Sequence, residues 1–188
     1  RLQEVRVAIT EQAWGRIDVA GKAQGQAFVQ QGPDRRTATV TMNRDDTVVE
    51  AGIADLVILK SAHSAFSGFL RDPLTTLPAT EDRILATALT ATWRYLTATV
   101  HFGDAWRLTR QTLLESFADH KSASVQHTLY AMGQAVLDRV DDVAAIHLVM
   151  PNKHHLPVDL SRLGLDNRNE IFVPTDEPHG LIEATVAR

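Results

Sequence analysis

The stretch AWRLTRQTLLESFAD (Ala105 to Asp119) and the stretch SASVQHTLYAMGQAVLDRV (Ser122 to Val140) decide the fold class of this chain. Apolar residues recur at helical spacing in both stretches, which predicts two consecutive amphipathic helices. Asp104 is a suitable N-cap for the first helix, and Ser122 or Ser124 can cap the second. The residues predicted to face inward are Trp106, Leu113 and Phe117, then Val125, Leu129, Met132 and Val136.

Strand patterns lie on both sides of the two helices. Alternation predicts a strand over Arg1 to Thr10, and β-branched and aromatic residues predict another over Ala91 to His101. Gly32-Pro33-Asp34 predicts a hairpin between Ala27 to Gln31 and Arg36 to Met42, because Gly and Pro favour turn dihedrals. The shorter strands predicted after the helices are Ala144 to Val149, Leu156 to Leu160, Glu170 to Val173 and Leu181 to Ala187. The order ββ, αα, ββ predicts an α+β fold, an antiparallel sheet with two helices on one face.

The amino-acid composition limits the classes of protein to which this chain can belong. The 188 residues suffice for one domain with a sizeable core, and 44% hydrophobic with 22% charged residues is near the globular average. A net charge of −4 with interspersed charges argues against a nucleic-acid partner. No apolar run approaches the roughly 20 residues that cross a bilayer, so we expect no membrane partner. The absence of cysteine excludes disulfides and thiolate chemistry, and without a peroxisomal Ser-Lys-Leu ending we expect a cytoplasmic protein.

Five short clusters supply what a pocket for a flat, anionic, nitrogen-rich heterocycle needs. They are Phe66, Arg83, Val125-Gln126, Asn152 and His154. An aromatic face stacks on a planar ring, a guanidinium grips two acceptors in one plane, and an amide both donates and accepts. Four of these residues also have a structural alternative: Phe66 and Val125 can pack in the core, Arg83 can form a surface ion pair, and Gln126 can be solvated.

The residues around these clusters resemble the urate oxidases, or uricases, and specifically their C-terminal half. The segments that carry the resemblance are KSAHSAFSGFLRD (Lys60 to Asp72), TTLPATEDRILAT (Thr75 to Thr87), SASVQHTLYAMG (Ser122 to Gly133), LVMPNKHH (Leu148 to His155) and EPHGLIEATV (Glu177 to Val186). The resemblance implies the tunnelling fold, in which sheets from several domains close into a barrel, with residues 1–188 as one such domain. It also implies oxidation of urate by dioxygen to 5-hydroxyisourate and hydrogen peroxide, with no metal or organic cofactor.

The resemblance also implies which residues bind the substrate. Phe66 stacks under the purine, while Phe69 is assigned to packing. Arg83 holds urate in a bidentate grip that Lys could not reproduce. The backbone of Val125 and the side-chain amide of Gln126 form the recognition pair that faces Arg83 across the ligand.

Two further residues are expected to serve the chemistry. The resemblance implies that Asn152 helps to hold dioxygen or a water nucleophile above the ring and that His154 belongs to a proton relay. Histidine has a suitable intrinsic pKa for such a relay. His155 is the next residue, but neighbours on an extended strand point to opposite faces, so we expect no metal site here.

The relay of the uricases also needs a Lys and a Thr from the N-terminal half of a neighbouring subunit, and no counterpart is found before Lys60. Thr75-Thr76 lies in another loop and does not fill that role. The chain starts without Met on a strand pattern, so we expect an N-terminal half to be missing, and the partners to be that half and the other subunits of a tetramer. Two alternatives remain open: a non-catalytic purine- or pterin-binding or assembly module of this fold, and a pterin enzyme that uses zinc.

Overall fold

Alternation of apolar and polar residues builds the central sheet, because successive side chains of a strand point to opposite faces. The computed structural model describes residues 3–188, so Arg1 and Leu2 of the predicted first strand lie outside the described residues. The strands and helices are, in chain order, β1 (Glu4–Thr10), β2 (Trp14–Val19), β3 (Lys22–Gln30), β4 (Arg35–Asn43), β5 (Thr47–Lys60), β6 (Leu85–Tyr95), α1 (Phe102–Asp119), α2 (Val125–Arg139), β7 (Val143–Asn152), β8 (His155–Pro157), β9 (Phe172–Pro174) and β10 (Gly180–Ala187).

Six of the strands form one antiparallel sheet in the order β1-β4-β5-β6-β7-β10, with β1 and β10 at its edges. The helices α1 and α2 connect β6 to β7, and they pack together on one face of this sheet. The succession β5-β6-α1-α2-β7-β10 is the ββααββ order, so the predicted α+β arrangement is confirmed. Neither helix within residues 3–188 has the length and apolar character that crossing a bilayer requires.

The helix-side face of the sheet forms the hydrophobic core. Leu85, Leu89 and Trp93 lie on this face of β6 and have no exposed surface. Leu113 of α1 and Met132 of α2 belong to the same cluster and are equally inaccessible. Full burial of one such side chain contributes about 1.5–3 kcal/mol, so this layer is the main source of stability.

The opposite face of the sheet carries polar side chains across its width. One transverse row crosses all six strands in register, and its members are Thr10, Thr37, Gly52, Thr92, His147 and Thr185. His147 Nδ1 lies 3.0 Å from Thr185 Oγ1. A Cβ atom on Gly52 would lie 2.6 Å from both Ala91 O and Thr37 Oγ1, so only glycine fits there. Both helices lie on the other side, and within residues 3–188 no helix covers this polar face.

The predicted hairpin around Gly32-Pro33-Asp34 is wrong. Gly32 does have a positive φ of 53°, as its turn role requires. The preceding strand β3, however, pairs with β2, and the following strand β4 pairs with β1 and β5. The turn between β2 and β3 is Ala20-Gly21, where both residues have positive φ as in a type I′ hairpin. An alanine at the first turn position concealed this hairpin in the sequence.

The predicted start of the second helix agrees with the structure, whereas the predicted start of the first helix differs from it. Ser124 caps α2, because its side chain accepts a hydrogen bond from the His127 amide, as predicted for one of the two candidate serines. Helix α1 begins at Phe102 with His101 as its N-cap, so Asp104 lies in the first turn and pairs with Arg107 instead of capping. The predicted start of α1 differs from the observed one because an acidic residue such as Asp104 is favourable in the first turn of a helix as well as at its N-cap.

We expect Gly133→Ala to destabilise the packing of α2 on the sheet. A Cβ atom at Gly133 would lie 2.6 Å from Val186 Cγ2 and 3.0 Å from Val186 Cβ. Valine is stiff about χ1 and its Cβ is fixed to the strand, so the overlap cannot be relieved by rotation. Overpacking costs about 1–3 kcal/mol, which outweighs the gain of up to about 1 kcal/mol in helix propensity.

Urea unfolding measures this effect, and Gly25→Ala is its matched control. Gly25 lies in β3 and a Cβ there would meet no atom within 4 Å. The unfolding midpoint of Gly133→Ala is expected below that of the parent, and that of Gly25→Ala at or above it. Equal midpoints for the two variants would show that α2 does not approach β10 closely.

Candidate active site

A cavity of about 360 Å³ lies at the end of β7, and four of the six predicted site residues line it. They are Phe66, Arg83, Asn152 and His154. The volume is within the range of small-molecule sites. Residues that lie up to 88 positions apart in sequence, from 66 to 154, thus meet in one concave surface.

Backbone hydrogen bonds place Phe66 beside Arg83. Phe66 N donates to Thr80 O (2.7 Å) and Thr80 N donates to Phe66 O (3.0 Å), although neither residue belongs to a named strand. Arg83 N donates to Ser64 O (2.7 Å). The long segment between β5 and β6 is therefore folded back on itself, and this pairing brings the aromatic and the guanidinium together.

A second set of backbone bonds ties the same loop to the segment before α2. Ala65 N donates to Ser122 O (2.8 Å), and Ser67 N donates to Ala123 O (3.1 Å). Ser122 N in turn donates to His63 O (3.1 Å). The loop that carries Phe66 is thus anchored on both sides of that residue.

Aromatic and cationic side chains form a stack at the cavity. The Phe66 and Phe69 rings are stacked, with centroids 4.5 Å apart and an interplanar angle of 15°. The Arg83 Cζ atom lies 5.2 Å from the Phe66 centroid, and the Arg71 Cζ atom lies 5.0 Å from that of Phe69. Phe69 therefore supports Phe66 from one face, which agrees with the packing role expected for it.

The Arg83 guanidinium is half-buried and lacks a protein counter-ion. None of the ion pairs among residues 3–188 includes Arg83, and its Nε atom is buried without a hydrogen-bond partner. Burial lowers the pKa of Arg83, because removal from water disfavours the charged form, yet arginine remains protonated in proteins. The adjacent Asp82 carboxylate accepts a 3.3 Å bond from Ser64 N instead. An unpaired cation at a cavity favours an anionic ligand.

Asn152 and His154 are positioned by the chain on either side of the end of β7. Lys153 N donates to Ala86 O (2.9 Å) at the beginning of β6. Thr175 N donates to His154 O (2.9 Å) from the segment after β9. These bonds fix the backbone at Lys153 and His154, and Asn152 pairs with Gly180 of β10, while the Asn152 and His154 side chains line the cavity.

His155 also lines the cavity, contrary to the expectation that it would face away from His154. The alternation rule fails because the strand is interrupted at His154, between β7 and β8. His155 Nδ1 lies 3.3 Å from Lys153 O. No group of three or more His, Asp or Glu side chains within residues 3–188 is arranged to hold a metal ion.

Val125 and Gln126 do not line this cavity. They form the first turn of α2, where Val125 is 2% exposed in the core and Gln126 is open to solvent. Backbone amides in the first turn of a helix have no partner within the helix, so they can bind an anion. The pair therefore lies next to the loop that carries Phe66, but the structure does not bring it into the same cavity wall.

The strands β8 and β9 were predicted with somewhat different bounds, but sequence reasoning missed that they pair with each other and close the cavity from the other side. The hairpin that they form contributes Leu156, Pro157, Asn169 and Phe172 to the cavity. Asn167 holds the intervening loop, because its side-chain amide donates to Val158 O (3.0 Å) and Ile171 O (2.7 Å). The closely spaced pair Asn167 and Asn169 is a turn signal that could have indicated this hairpin.

A basic cluster lies behind the loop, next to the start of α2. Lys60 Nζ donates to the carbonyl of His120, and the rings of His120 and His127 meet edge to face with centroids 4.5 Å apart. Burial lowers the pKa of His120, and electrostatic repulsion from its neighbours His127 and Lys60 lowers it further. Burial also lowers the pKa of Lys60, although Asp119 opposes this effect.

Comparison with known proteins adds independent findings. A family model described as Uricase matches residues 49–183. The uricase of Arthrobacter globiformis is 43% identical over 175 residues, and that of Dictyostelium discoideum is 40% identical over 186 residues. The crystal structure of the Arthrobacter globiformis uricase superposes with a TM-score of 0.92 at 41% identity and covers 99% of this chain. A uricase structure from Bacillus fastidious shares the fold, with a TM-score of 0.80 at 24% identity.

The matched proteins are longer than this chain. The match covers 93% of the chain and 57% of the Arthrobacter globiformis protein, and 98% of the chain and 64% of the Dictyostelium discoideum protein. In the crystal structure it covers 63% of the Arthrobacter globiformis chain. The resemblance and the tunnelling fold predicted from the sequence are confirmed.

The His120 cluster predicts how stability depends on pH. A histidine whose pKa is lower in the folded state binds fewer protons there than in the unfolded state, so acidification favours unfolding. The free energy of unfolding is therefore expected to fall as the pH drops below about 6.5, the ordinary histidine value. His120→Phe, which keeps a ring against His127 but cannot titrate, is expected to lose less stability over the same range.

Urea unfolding midpoints between about pH 7.5 and pH 5 measure the slope around the ordinary histidine pKa. His179→Phe is the control, because His179 is exposed and lies outside the cluster. An unchanged slope in His120→Phe, relative to the parent, would contradict the assignment of this titration to His120.

Proposed function

Because this chain belongs to the uricase family, we propose that it is part of a urate oxidase, which oxidises urate with dioxygen to 5-hydroxyisourate and hydrogen peroxide. The reaction proceeds without a metal or an organic cofactor in this proposal. The single observation that carries it is the half-buried Arg83 guanidinium, which has no counter-ion in residues 3–188 and lies beside the Phe66 ring at a cavity.

Substrate recognition follows from the shape and charge of urate. Urate is planar and is a monoanion near neutral pH, so it suits an aromatic face and a guanidinium in one site. In this proposal Phe66 stacks on the purine ring and Arg83 grips its edge with two hydrogen bonds. The Val125 amide and the Gln126 side chain bind the opposite edge of the purine. Their position at a helix N-terminus, next to the loop that carries Phe66, supports this assignment.

The chemistry requires orientation and proton transfer. Urate loses two electrons, dioxygen gains them together with two protons to become hydrogen peroxide, and water supplies the added hydroxyl group. Asn152 holds dioxygen or water above the ring, and His154 takes part in the proton relay. Holding the reactants in one geometry and moving protons are the two contributions that these side chains can make.

The proposal includes a shared active site. The Lys and Thr of the relay come from the N-terminal half, so residues 1–188 act as one tunnelling-fold domain that corresponds to the C-terminal half, within a tetramer. Two features support closure of the sheets into a barrel: the polar face of the sheet and the strands β1 and β10, which have a free edge among the described residues. A cytoplasmic location is part of the proposal and is compatible with a chain that has no cysteine.

Arg83→Lys tests substrate recognition. A lysine offers a point charge and no planar fork, so we expect an inert urate analogue to bind more weakly by about 2 kcal/mol, or roughly thirtyfold. Gln126→Ala is expected to act in the same direction. The matched control is Arg71→Lys, because Arg71 also lies over a phenylalanine ring but does not line the cavity. Unchanged dissociation constants for Arg83→Lys and Gln126→Ala would disprove the pocket assignment.

The reaction itself is tested on the chain combined with a uricase N-terminal half after treatment with EDTA. We expect loss of the near-ultraviolet absorbance of urate and release of hydrogen peroxide, and no turnover by residues 1–188 alone. Loss of activity with EDTA that one metal restores would refute the cofactor-free proposal. Tight binding of urate without turnover in the combined sample would favour a non-catalytic purine-binding module, and turnover by the chain alone would refute the shared site.

A further inference from the structure

Two buried hydroxyl groups join the segment before α2 to the body of that helix. Thr128 Oγ1 donates to Ser122 Oγ (2.7 Å), and Ser122 Oγ donates to the carbonyl of Ser124 (3.0 Å). Ser122 is 2% exposed and Thr128 is 1% exposed. Because water cannot replace a lost partner at this depth, each of these bonds matters more than its surface equivalent.

The arrangement at Thr128 differs from that of other buried threonines on the helices. Thr109 Oγ1 donates to Ala105 O (2.8 Å) and Thr112 Oγ1 donates to Leu108 O (2.8 Å), the usual bond to the carbonyl four residues earlier. Thr128 instead directs its hydroxyl outside the helix, to Ser122. The corresponding carbonyl, that of Ser124, accepts the Ser122 hydroxyl and the Thr128 amide.

Ser122 carries this connection into the loop of the candidate active site. Its carbonyl accepts the Ala65 amide (2.8 Å), and its own amide donates to His63 O (3.1 Å). Ala65 directly precedes Phe66, and Ser124 directly precedes Val125-Gln126. A chain of three residues, Thr128, Ser122 and Ala65, therefore links the first turns of α2 to the stacking phenylalanine.

Backbone bonds on both sides of Phe66 and the two hydroxyl groups together hold the loop against the segment before α2. Between β5 and β6 the chain makes only isolated bridges, such as Ser64 with Ser122 and Phe66 with Thr80, and residues 61–84 contain no strand. An isolated bridge lacks the successive bonds of a ladder, so its position depends on the side chains that hold it. Here the hydroxyls of Ser122 and Thr128 hold Ser122, the partner of the loop, against the first turns of α2.

We infer that Ser122 and Thr128 are positioning residues, whose hydroxyl groups set the separation between the Phe66 ring and the first turn of α2. Neither residue lines the cavity, so they act through the backbone of the loop and not by contact with a ligand. On the premise of the proposed function, this separation decides whether the Val125-Gln126 pair reaches the edge of a urate anion whose ring is stacked on Phe66.

The test compares Thr128→Val, which keeps the shape and removes the donor, with Thr128→Ser, which keeps the hydroxyl. Thr109→Val is the matched control, because Thr109 is a fully buried threonine on α1 whose hydroxyl bonds only within its helix. Two quantities are measured on the full chain: hydrogen exchange at the Ala65 and Ser67 amides, and the dissociation constant of an inert urate analogue.

We expect Thr128→Val to exchange the Ala65 and Ser67 amides about tenfold faster than Thr109→Val and to bind the analogue about tenfold more weakly. Thr128→Ser is expected to restore both values to within a factor of about three of the parent. Ser122→Ala removes the acceptor and serves as the second variant if Thr128→Val does not fold. In the chain combined with an N-terminal half, kcat is expected to fall along with the affinity for urate.

The two readouts separate this inference from the proposed function. If exchange and analogue binding are the same in Thr128→Val and Thr109→Val, the positioning inference is wrong. If exchange changes as expected while the parent combined with an N-terminal half does not bind the analogue, the positioning inference holds and the proposed function fails.

Discussion

Burial of one face of the six-stranded sheet beneath α1 and α2 is the constraint on which the rest of the structure depends. Every second residue of β6 points into this layer, and Trp93 at its centre has no exposed surface. This burial also sets the register of the neighbouring strands, because a slip of one residue would turn their apolar side chains to the opposite face. The transverse row on that opposite face is polar instead, from Thr10 on one edge strand to Thr185 on the other. Close approach of the layers leaves room for no side chain at Gly133, which faces Val186.

The candidate active site forms where this layered packing ends. The cavity lies beyond the start of β6 and the end of β7, where the bond from Lys153 N to Ala86 O continues the sheet by one pair. The loop that carries Phe66 adds no strand to the sheet and is held by isolated bridges to Thr80 and to the segment before α2. A rigid sheet and helix thus position a loop whose own backbone bonds are few, which is a common arrangement at functional sites.

The charge of Arg83 determines which ligands this cavity favours. A half-buried guanidinium without a counter-ion is costly unless a ligand supplies the missing charge, so Arg83 makes the empty site less favourable than the anion-bound one. The neighbouring carboxylate of Asp82 accepts a hydrogen bond from the Ser64 amide, and it forms no ion pair with Arg83 among the described residues. A guanidinium beside an aromatic ring therefore gives the cavity the character of a site for a flat anion.

The sequence by itself determined the two helices, the ββααββ order and the resemblance that selects Phe66, Arg83, Asn152 and His154, because periodicity and residue type are local properties. Only the tertiary structure decided how distant segments pair: that β3 turns back onto β2, that His155 joins His154 at the cavity, and that β8-β9 closes it. The physical reason is the same in each case. Backbone amides and carbonyls are alike in every residue, so a hydrogen bond such as that from Ala65 to Ser122 depends on the packing of the whole chain and leaves no mark in the sequence.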